Sequence, residues 1–386
     1  SDNDEICLFK NDSAKPIWKY KTGGDVASVA ISKSGDYITA GSWDNNVYFF
    51  NRNDSKPLWN YTTADYVNSV AISSTGENIV ASSSDKRLYF FNRSNAIPIW
   101  NYSANFGVGP TAISSDGNYI VAGSNDNMYL FNSSNSAPIW SFNSEDSIVS
   151  VDISSEGNYL AAGSLDDKVY FFEKSNSTPL WSYTAGHWVN SLAISSGGSY
   201  LVAGSLDDKV YLFEKPSSTP LWSYKTGGNI GSVSISADGN YIAAGSYDNN
   251  VYFFNKSSST PLWNFTAEDY VRAISISSKG KYIIAGSYDD RVYFIKNSYL
   301  IENQSKDGTN FIFLIILAGF IIGIPVIITK FYNKDKNNIS IHHKNRARIK
   351  NYLNNLRKYE GIYSNKYRVN DKKIRRVINK FPPVLG

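Results

Sequence analysis

The sequence predicts an all-β fold of seven four-stranded antiparallel units, on three observations. A Pro-[Ile/Leu]-Trp triplet recurs with its tryptophan at Trp18, Trp59, Trp100, Trp140, Trp181, Trp222 and Trp263, at intervals of 41, 41, 40, 41, 41 and 41 residues. Each interval carries four short runs rich in β-branched and aromatic residues, of the types VxSVAIS, YIxAGS, VYFF and PLWxY, separated by Gly, Asn, Asp and Ser. None has a helical period. Such runs read as strands and the polar clusters between them as turns. A unit this short buries its apolar faces only by stacking on its neighbours.

Taken in order from the innermost, the strands are a (VxSVAIS), b (YIxAGS), c (VYFF) and d (PLWxY). Strand a starts near Val26, Val67, Val108, Ile148, Val189, Ile230 and Val271. A Gly-containing turn such as Ser34-Gly35 or Asp238-Gly239 joins a to b. Four-stranded units in a ring make a seven-bladed β-propeller. The last unit has a, b and c but no following Pro-Leu-Trp, whereas residues 16–18 precede the first strand a. The first triplet is therefore expected to complete the last blade and close the ring without free edges. Residues 6–9 align with 47–50 and are surplus: either they pair on an outer edge or they belong with a part upstream of Ser1.

With these motifs in hand, residues 5–297 resemble the repeats of WD40-type and quinoprotein-like (PQQ-type) β-propellers. The resemblance rests on the VxSVAIS–SxxGxY–xAGSxD pattern and the aromatic third strand. The Gly-His pair of WD40 units occurs once, at Gly186-His187, and their Trp-Asp ending is replaced by pairs such as Phe49-Phe50 and Leu212-Phe213. The WD40 side-chain network joining that His to the turn Asp is thus not expected in most blades. The Pro-Leu-Trp strand is closer to the quinoprotein-like repeat. The resemblance implies a propeller that serves as a binding platform or, in some members, as an enzyme.

The formal charge of +4 conceals a division. Residues 330–386 hold 16 Lys+Arg and 3 Asp+Glu, leaving 22 and 31 in 1–329. Between lies FIFLIILAGFIIGIPVIIT, residues 311–329, without a charge. As a helix at about 1.5 Å per residue it would cross a hydrocarbon core of about 30 Å, and Pro325 is tolerated in such a span. The expected domains are a propeller ectodomain (1–297), a linker (298–310), a transmembrane helix (311–329) and a basic tail (330–386). Lys330, Lys334 and Lys336 follow the span, which places the tail in the cytoplasm and the propeller outside the cell membrane. An exported domain needs a signal peptide; none is seen, so it is expected to have been removed or to lie upstream. Asn-x-Ser/Thr triplets at Asn11, Asn53, Asn60, Asn92, Asn101, Asn132, Asn176, Asn255, Asn264 and Asn303 agree with an exposed, glycosylated domain. In the tail, Ile349, Leu353 and Leu356, then Ile374, Val377, Ile378 and Phe381, recur at helical spacing among basic residues. Two short basic amphipathic helices are expected, with anionic lipid or a cytosolic protein as partner; nucleic acid is not expected.

One Cys (Cys7) excludes an intrachain disulfide framework, and three His (His187, His342, His343) leave little for a metal or acid–base centre. No metal or cofactor is expected. The Asp of each GSxD turn (Asp44, Asp85, Asp126, Asp166, Asp207, Asp248, Asp289) reads as a turn acceptor of backbone N–H groups, because a catalytic or calcium site would need one special blade. The Pro-Leu-Trp tryptophans read as blade-to-blade packing.

The d–a and b–c loops share one face, here called upper. Chain exit and most triplet asparagines lie on the lower face, so the upper face is expected to point away from the membrane. It breaks the repeat most, with Tyr66, Trp188 and Tyr270 before strand a and Trp43, Tyr247 and Tyr288 before the turn Asp; His187 and Arg272 are further breaks. Exposed Tyr and Trp are typical anchors of binding surfaces. These eight residues are the candidate site for an extracellular protein or glycan. The first expectation is a non-enzymatic, membrane-anchored interaction scaffold. The alternatives are a propeller enzyme (quinone-dependent oxidoreductase, lyase or hydrolase) and a receptor signalling through the tail.

Overall fold

The computed structural model describes residues 4–10, 13–297, 313–317 and 326–330. It divides into two compact units, Ser1–Glu302 and Asn303–Gly386. Among the described residues the chain is all-β. The first unit opens with β1 (Glu5–Phe9) and β2 (Pro16–Lys21), followed by β3 (Val26–Ile31), β4 (Tyr37–Ser42), β5 (Asn46–Asn51) and β6 (Trp59–Thr62). β3 to β6 are strands a to d of the first complete blade, paired in sequence order with Ile31 opposite Ile38, Tyr37 opposite Asn51 and Phe49 opposite Trp59. Five more four-stranded sheets repeat this order, and a last three-stranded sheet is built from Val271–Ile276, Tyr282–Ser287 and Val292–Lys296. Consecutive a strands pack side by side. These antiparallel blades are those of a β-propeller.

Sequence periodicity becomes packing in a fixed way. Strands b and c are apolar on both faces because a blade lies against each: the central residues of β4 and β5 are almost all buried. One face of β5 contributes Val47 and Phe49 to a cluster with Val67, Ile79, Ala81, Tyr89 and Phe91 of the next blade. Trp59 stacks on Phe49 at 5.0 Å and reaches Phe91 of that blade at 5.4 Å. Its indole N–H donates to the Arg93 carbonyl at 2.9 Å, and Trp18, Trp100, Trp140 and Trp222 do the same across their own junctions. The tryptophans are thus inter-blade packing residues, as expected. Two depart from this: Trp263 donates to the Asn297 side-chain oxygen at 3.3 Å, and the buried Trp181 indole N–H is without a partner.

Two further series join the blades. Near the axis, the Ser of strand a accepts a backbone N–H from the next strand a: Ser28 from Val70, Ser150 from Leu192 and Ser191 from Val233, each at 3.1 Å. On the lower face, the a–b turns form a backbone chain, Ser74 N–H to Ser115 O and onward to Ser155, Ser196 and Ala237. These turns need their glycine: Gly76 has φ +74°, and a Cβ there would lie 2.6 Å from the Tyr37 ring of the preceding blade.

One expectation is corrected. The first Pro-Ile-Trp does not complete the last blade. β2 pairs with β1, the surplus run, in the register Cys7 opposite Lys19, and the outer edge of Val292–Lys296 is unpaired among the described residues. A d strand needs only a c-type edge, and β1 supplies the nearer one in sequence. In the second unit the described residues are two antiparallel strands, Phe313–Leu317 and Val326–Lys330, and the helix expected over 311–329 is not shown among them. β-branched Val, Ile and Thr fill the second run, and the first combines two Ile with Phe and Leu, residues that strands accept. No described helix is long and apolar enough to cross a membrane. The two tail helices expected near 344–360 and 371–381 lie outside the described residues.

Candidate functional site

The upper face is organised by the turn aspartates. Asp248 accepts the Asn250 N–H at 3.0 Å, the Gly227 N–H of the d–a loop at 2.7 Å and the Tyr252 hydroxyl at 2.7 Å. Asp44, with Asn46, Gly23 and Tyr48, repeats the set at 3.0, 2.6 and 2.6 Å. One carboxylate therefore fastens the b–c turn, strand c and the d–a loop together. Burial alone would push the Asp248 carboxyl up, but its Tyr252, Gly227 and Asn250 donors hold it below the usual carboxylate range. Burial and the neighbouring carboxylate push the Tyr252 phenol up in turn. The structural role expected for these aspartates is present in six blades, with a tyrosine partner that the sequence reading did not identify, whereas the carboxylate partners of Asp126 are the Asn125 and Asn127 side chains. The signal was there: an Asp-x-x-x-Tyr offset in six blades, shortened by one residue at Asp126 and Tyr129. Even at the one Gly-His pair, the Gly186 N–H rather than the imidazole binds Asp207; His187 Nδ1 instead accepts its neighbour Trp188 N–H at 2.7 Å.

On this scaffold the eight candidate residues fall into three groups. Tyr247 stacks on Tyr270 across the last blade junction at 5.1 Å and 15°, and Tyr270 meets Tyr288 edge-on at 6.4 Å. Arg272 donates to the Tyr288 hydroxyl and lies 5.6 Å from its ring centre. Arg272 is aimed there by a β-bulge, since the register of strand a slips between Val271 and Ala273. The same slip occurs in other blades, where the bulged residue is Asn68, Asn190 or Gly231. Gly231 leaves room: a Cβ there would come within 2.8 Å of the Tyr247 ring. Trp43 and Tyr66 form a second stack, 5.7 Å apart across the first complete junction. His187 and Trp188 form the third, edge-on at 5.0 Å. Trp43, Tyr66, Trp188, Tyr270 and Tyr288 are all exposed. Asp65, Glu268 and Asp269 stand in the adjoining loops, and Glu268 pairs with Arg291. The sequence reading thus located the aromatic positions but not their division into separate clusters.

A half-buried carboxyl on a strand a was missed. Asp152 takes the strand-a position held elsewhere by Ala30, Ala71, Ala112, Ala193, Ser234 and Ser275. It accepts the N–H of Ile194 in the next blade and of Ile153, each at 2.8 Å. Burial pushes it up to about 6, against the pull of those two N–H groups. A raised folded-state value means that its contribution to stability is full below about 4, declines as pH rises and is gone above about 6. Asp152→Asn should therefore gain on the wild-type chain by up to about 3 kcal/mol between pH 4 and pH 7. Urea unfolding at both pH values measures it, and an unchanged gap would refute it. Among the described residues, no group of three or more His, Cys, Asp and Glu is placed to hold a metal ion.

Comparison with known families agrees with this architecture. Residues 1–183 match the family model described as outer membrane protein assembly factor BamB. Residues 177–214, 218–255 and 259–296 each match the model of the WD domain, G-beta repeat. The two matches meet within one d strand, in keeping with repeats that share features of both kinds. No curated protein matches the chain.

Proposed function

We propose that this repeat β-propeller is a non-enzymatic, membrane-anchored binding module. The propeller, residues 1–297, forms the extracellular domain, and residues 311–329 form the transmembrane anchor. The basic tail lies on the cytoplasmic side, at anionic lipid or a cytosolic protein. The reading rests on one observation above all. Tyr247, Tyr270, Tyr288 and Arg272 form an open aromatic cluster; at the tyrosine positions the Trp43–Tyr66 stack and Trp188 are the other aromatics, the remaining blades carrying Leu, Ser, Asn, Asp or Gly, and no other blade has an Arg at the position of Arg272. A structural requirement of the repeat would recur in every blade, as the turn Asp does; this cluster does not. Tyrosine faces stack on sugar rings or apolar side chains at small entropic cost, and Arg272 adds a planar donor for a carboxylate or carbonyl. The ligand is thus a protein or glycan epitope taken up on the upper face.

A glycan array and a pull-down from extracellular material, both with the full chain, test this. Tyr270→Ala and Trp188→Ala are expected to reduce capture at least tenfold, about 1.4 kcal/mol or more, with stability changed by under about 1 kcal/mol. Lower-face changes such as Lys174→Ala should leave capture intact. Capture unaffected by the upper-face changes, or turnover with added quinone, would overturn the reading. Protease access to the tail in intact cells would overturn the topology.

A further inference from the structure

Among the described residues, the row of blades has two uncovered ends that differ from the junctions within it. Val29 on β3 is 61% exposed, whereas Val70 and Val233, at the same repeat position, are 5% exposed. Ile31 is also exposed, while Ile194 and Ile235 are buried. At the far end Val292 is 63% exposed and Phe294 43%, although Val210 and Leu212 at those positions are fully buried. Only the outer half of the first end is covered. Ile6, Leu8, Trp18 and Tyr20 of β1 and β2 pack on Ile38, Tyr48 and Phe50, as the next blade packs on β5 and β6. β1 and β2 therefore occupy positions c and d of a further blade. The edge of β1 away from β2 corresponds to the edge that strand b takes in every complete sheet.

We propose that this edge and the Val29–Ile31 surface form an addition site for a two-stranded β-hairpin of the chain's own a–b type. The hairpin pairs antiparallel with Glu5–Phe9, covers Val29 and Ile31, and turns its other face to Val292 and Phe294. The site continues an interface that recurs along the row, and that continuity sets the chemistry of its occupant. The first strand carries apolar residues in the V-x-S-V-x-I pattern, its Ser accepting the Val29 N–H as Ser28 accepts that of Val70. The second carries the small Ala-Gly-Ser ending that permits close approach of the next blade: a Cβ on Gly41 would lie 2.5 Å from Val67. Such an occupant makes an eighth blade position, in place of a ring closed by β2. The proposal is independent of what the upper face binds.

The test uses the full chain and a synthetic peptide with the sequence of residues 230–246, which spans one a–b hairpin. Hydrogen exchange should slow at least tenfold at the amides of Glu5–Phe9 and at Val29, whereas a peptide with Val233→Asp and Ile235→Asp should have no effect. No slowing with the native peptide overturns the proposal. A cysteine pair checks the rival closure. With oxidised glutathione, Lys19→Cys should join native Cys7, its partner in register, since facing residues of antiparallel strands lie within disulfide reach. In a Cys7→Ser background, Lys19→Cys should not join Tyr293→Cys, the pairing that β2 would make on the last blade by analogy with Tyr48 opposite Asn60. Formation of that second bridge overturns the proposal in favour of closure by β2. Exchange at Val29 that slows with protein concentration alone overturns it in favour of a second copy.

Discussion

Phe253→Ala is expected to lower the unfolding free energy by about 3–5 kcal/mol. Phe253 is fully buried, stacks on Trp263 at 5.0 Å and 13°, and on Tyr241 at 5.5 Å and 9°. On the same face lie Val271, Ile283 and Ala285 of the last blade. Truncation leaves a cavity between two rigid sheets, and such sheets collapse poorly around it. The informative control is Phe294→Ala, which removes the same ring from the same repeat position one blade later. There the side chain is exposed, and the expected cost is under about 1 kcal/mol. Denaturant unfolding of the two variants side by side makes the comparison. Equal costs would mean that the end face is covered in solution.

Asp248→Ala is expected to cost about 2–4 kcal/mol, because it strands three donors at once: the Tyr252 hydroxyl and the Gly227 and Asn250 N–H groups. Tyr252→Phe removes one of these bonds and should cost about 1 kcal/mol. Asp126→Ala should cost less than Asp248→Ala, since the carboxylate partners found for Asp126 are the side chains of Asn125 and Asn127. The pH dependence has a definite sign. The Asp248 carboxyl is held below its ordinary value, so its contribution is present above the unfolded-state value near 3.8 and is lost as pH falls through the folded-state value. The gap between wild type and Asp248→Ala should therefore be wide at pH 7 and narrow under acid. A gap that persists at the lowest pH at which the fold survives would assign the effect to packing instead.

Much of the propeller was legible in the sequence because its strands are short, its turns carry Gly and Asp at fixed offsets, and its Trp recurs at a nearly constant interval. Three features were not legible, each for a physical reason. The partner of β2 was misread because the edge it needs is backbone, and β1 and the last strand c offer the same edge. Asp152 went unnoticed because a single carboxylate among Ala and Ser leaves the alternation of its strand intact; only the structure shows the two N–H groups that converge on it. The aromatic positions stand out in the repeat, but whether Tyr247 would meet Tyr270 or stand apart depends on the distance between neighbouring blades, which no linear pattern contains. For residues 311–329 the ambiguity is intrinsic. An uncharged run rich in Ile, Val and Phe satisfies a helix in lipid and a strand equally, and Pro325 and the glycines mark a reversal as readily as a tolerated kink.

At four junctions the indole bond to a backbone carbonyl joins residues 34 positions apart, and the axial serine bonds join residues 42 apart. Contacts fixed by offset rather than by address make chain length a quantised variable. Excising one whole period would return each surviving residue to a partner of the same type, whereas excising half a period would misalign every junction downstream. The third unit, one residue short, shows the smallest dislocation the lattice absorbs: Trp100 reaches its carbonyl over 33 residues, and the Asp–Tyr link nearby is the casualty. A fold of this kind lengthens or contracts by duplication in whole steps, and variation is free to gather where no offset is enforced, on the loops of the upper face.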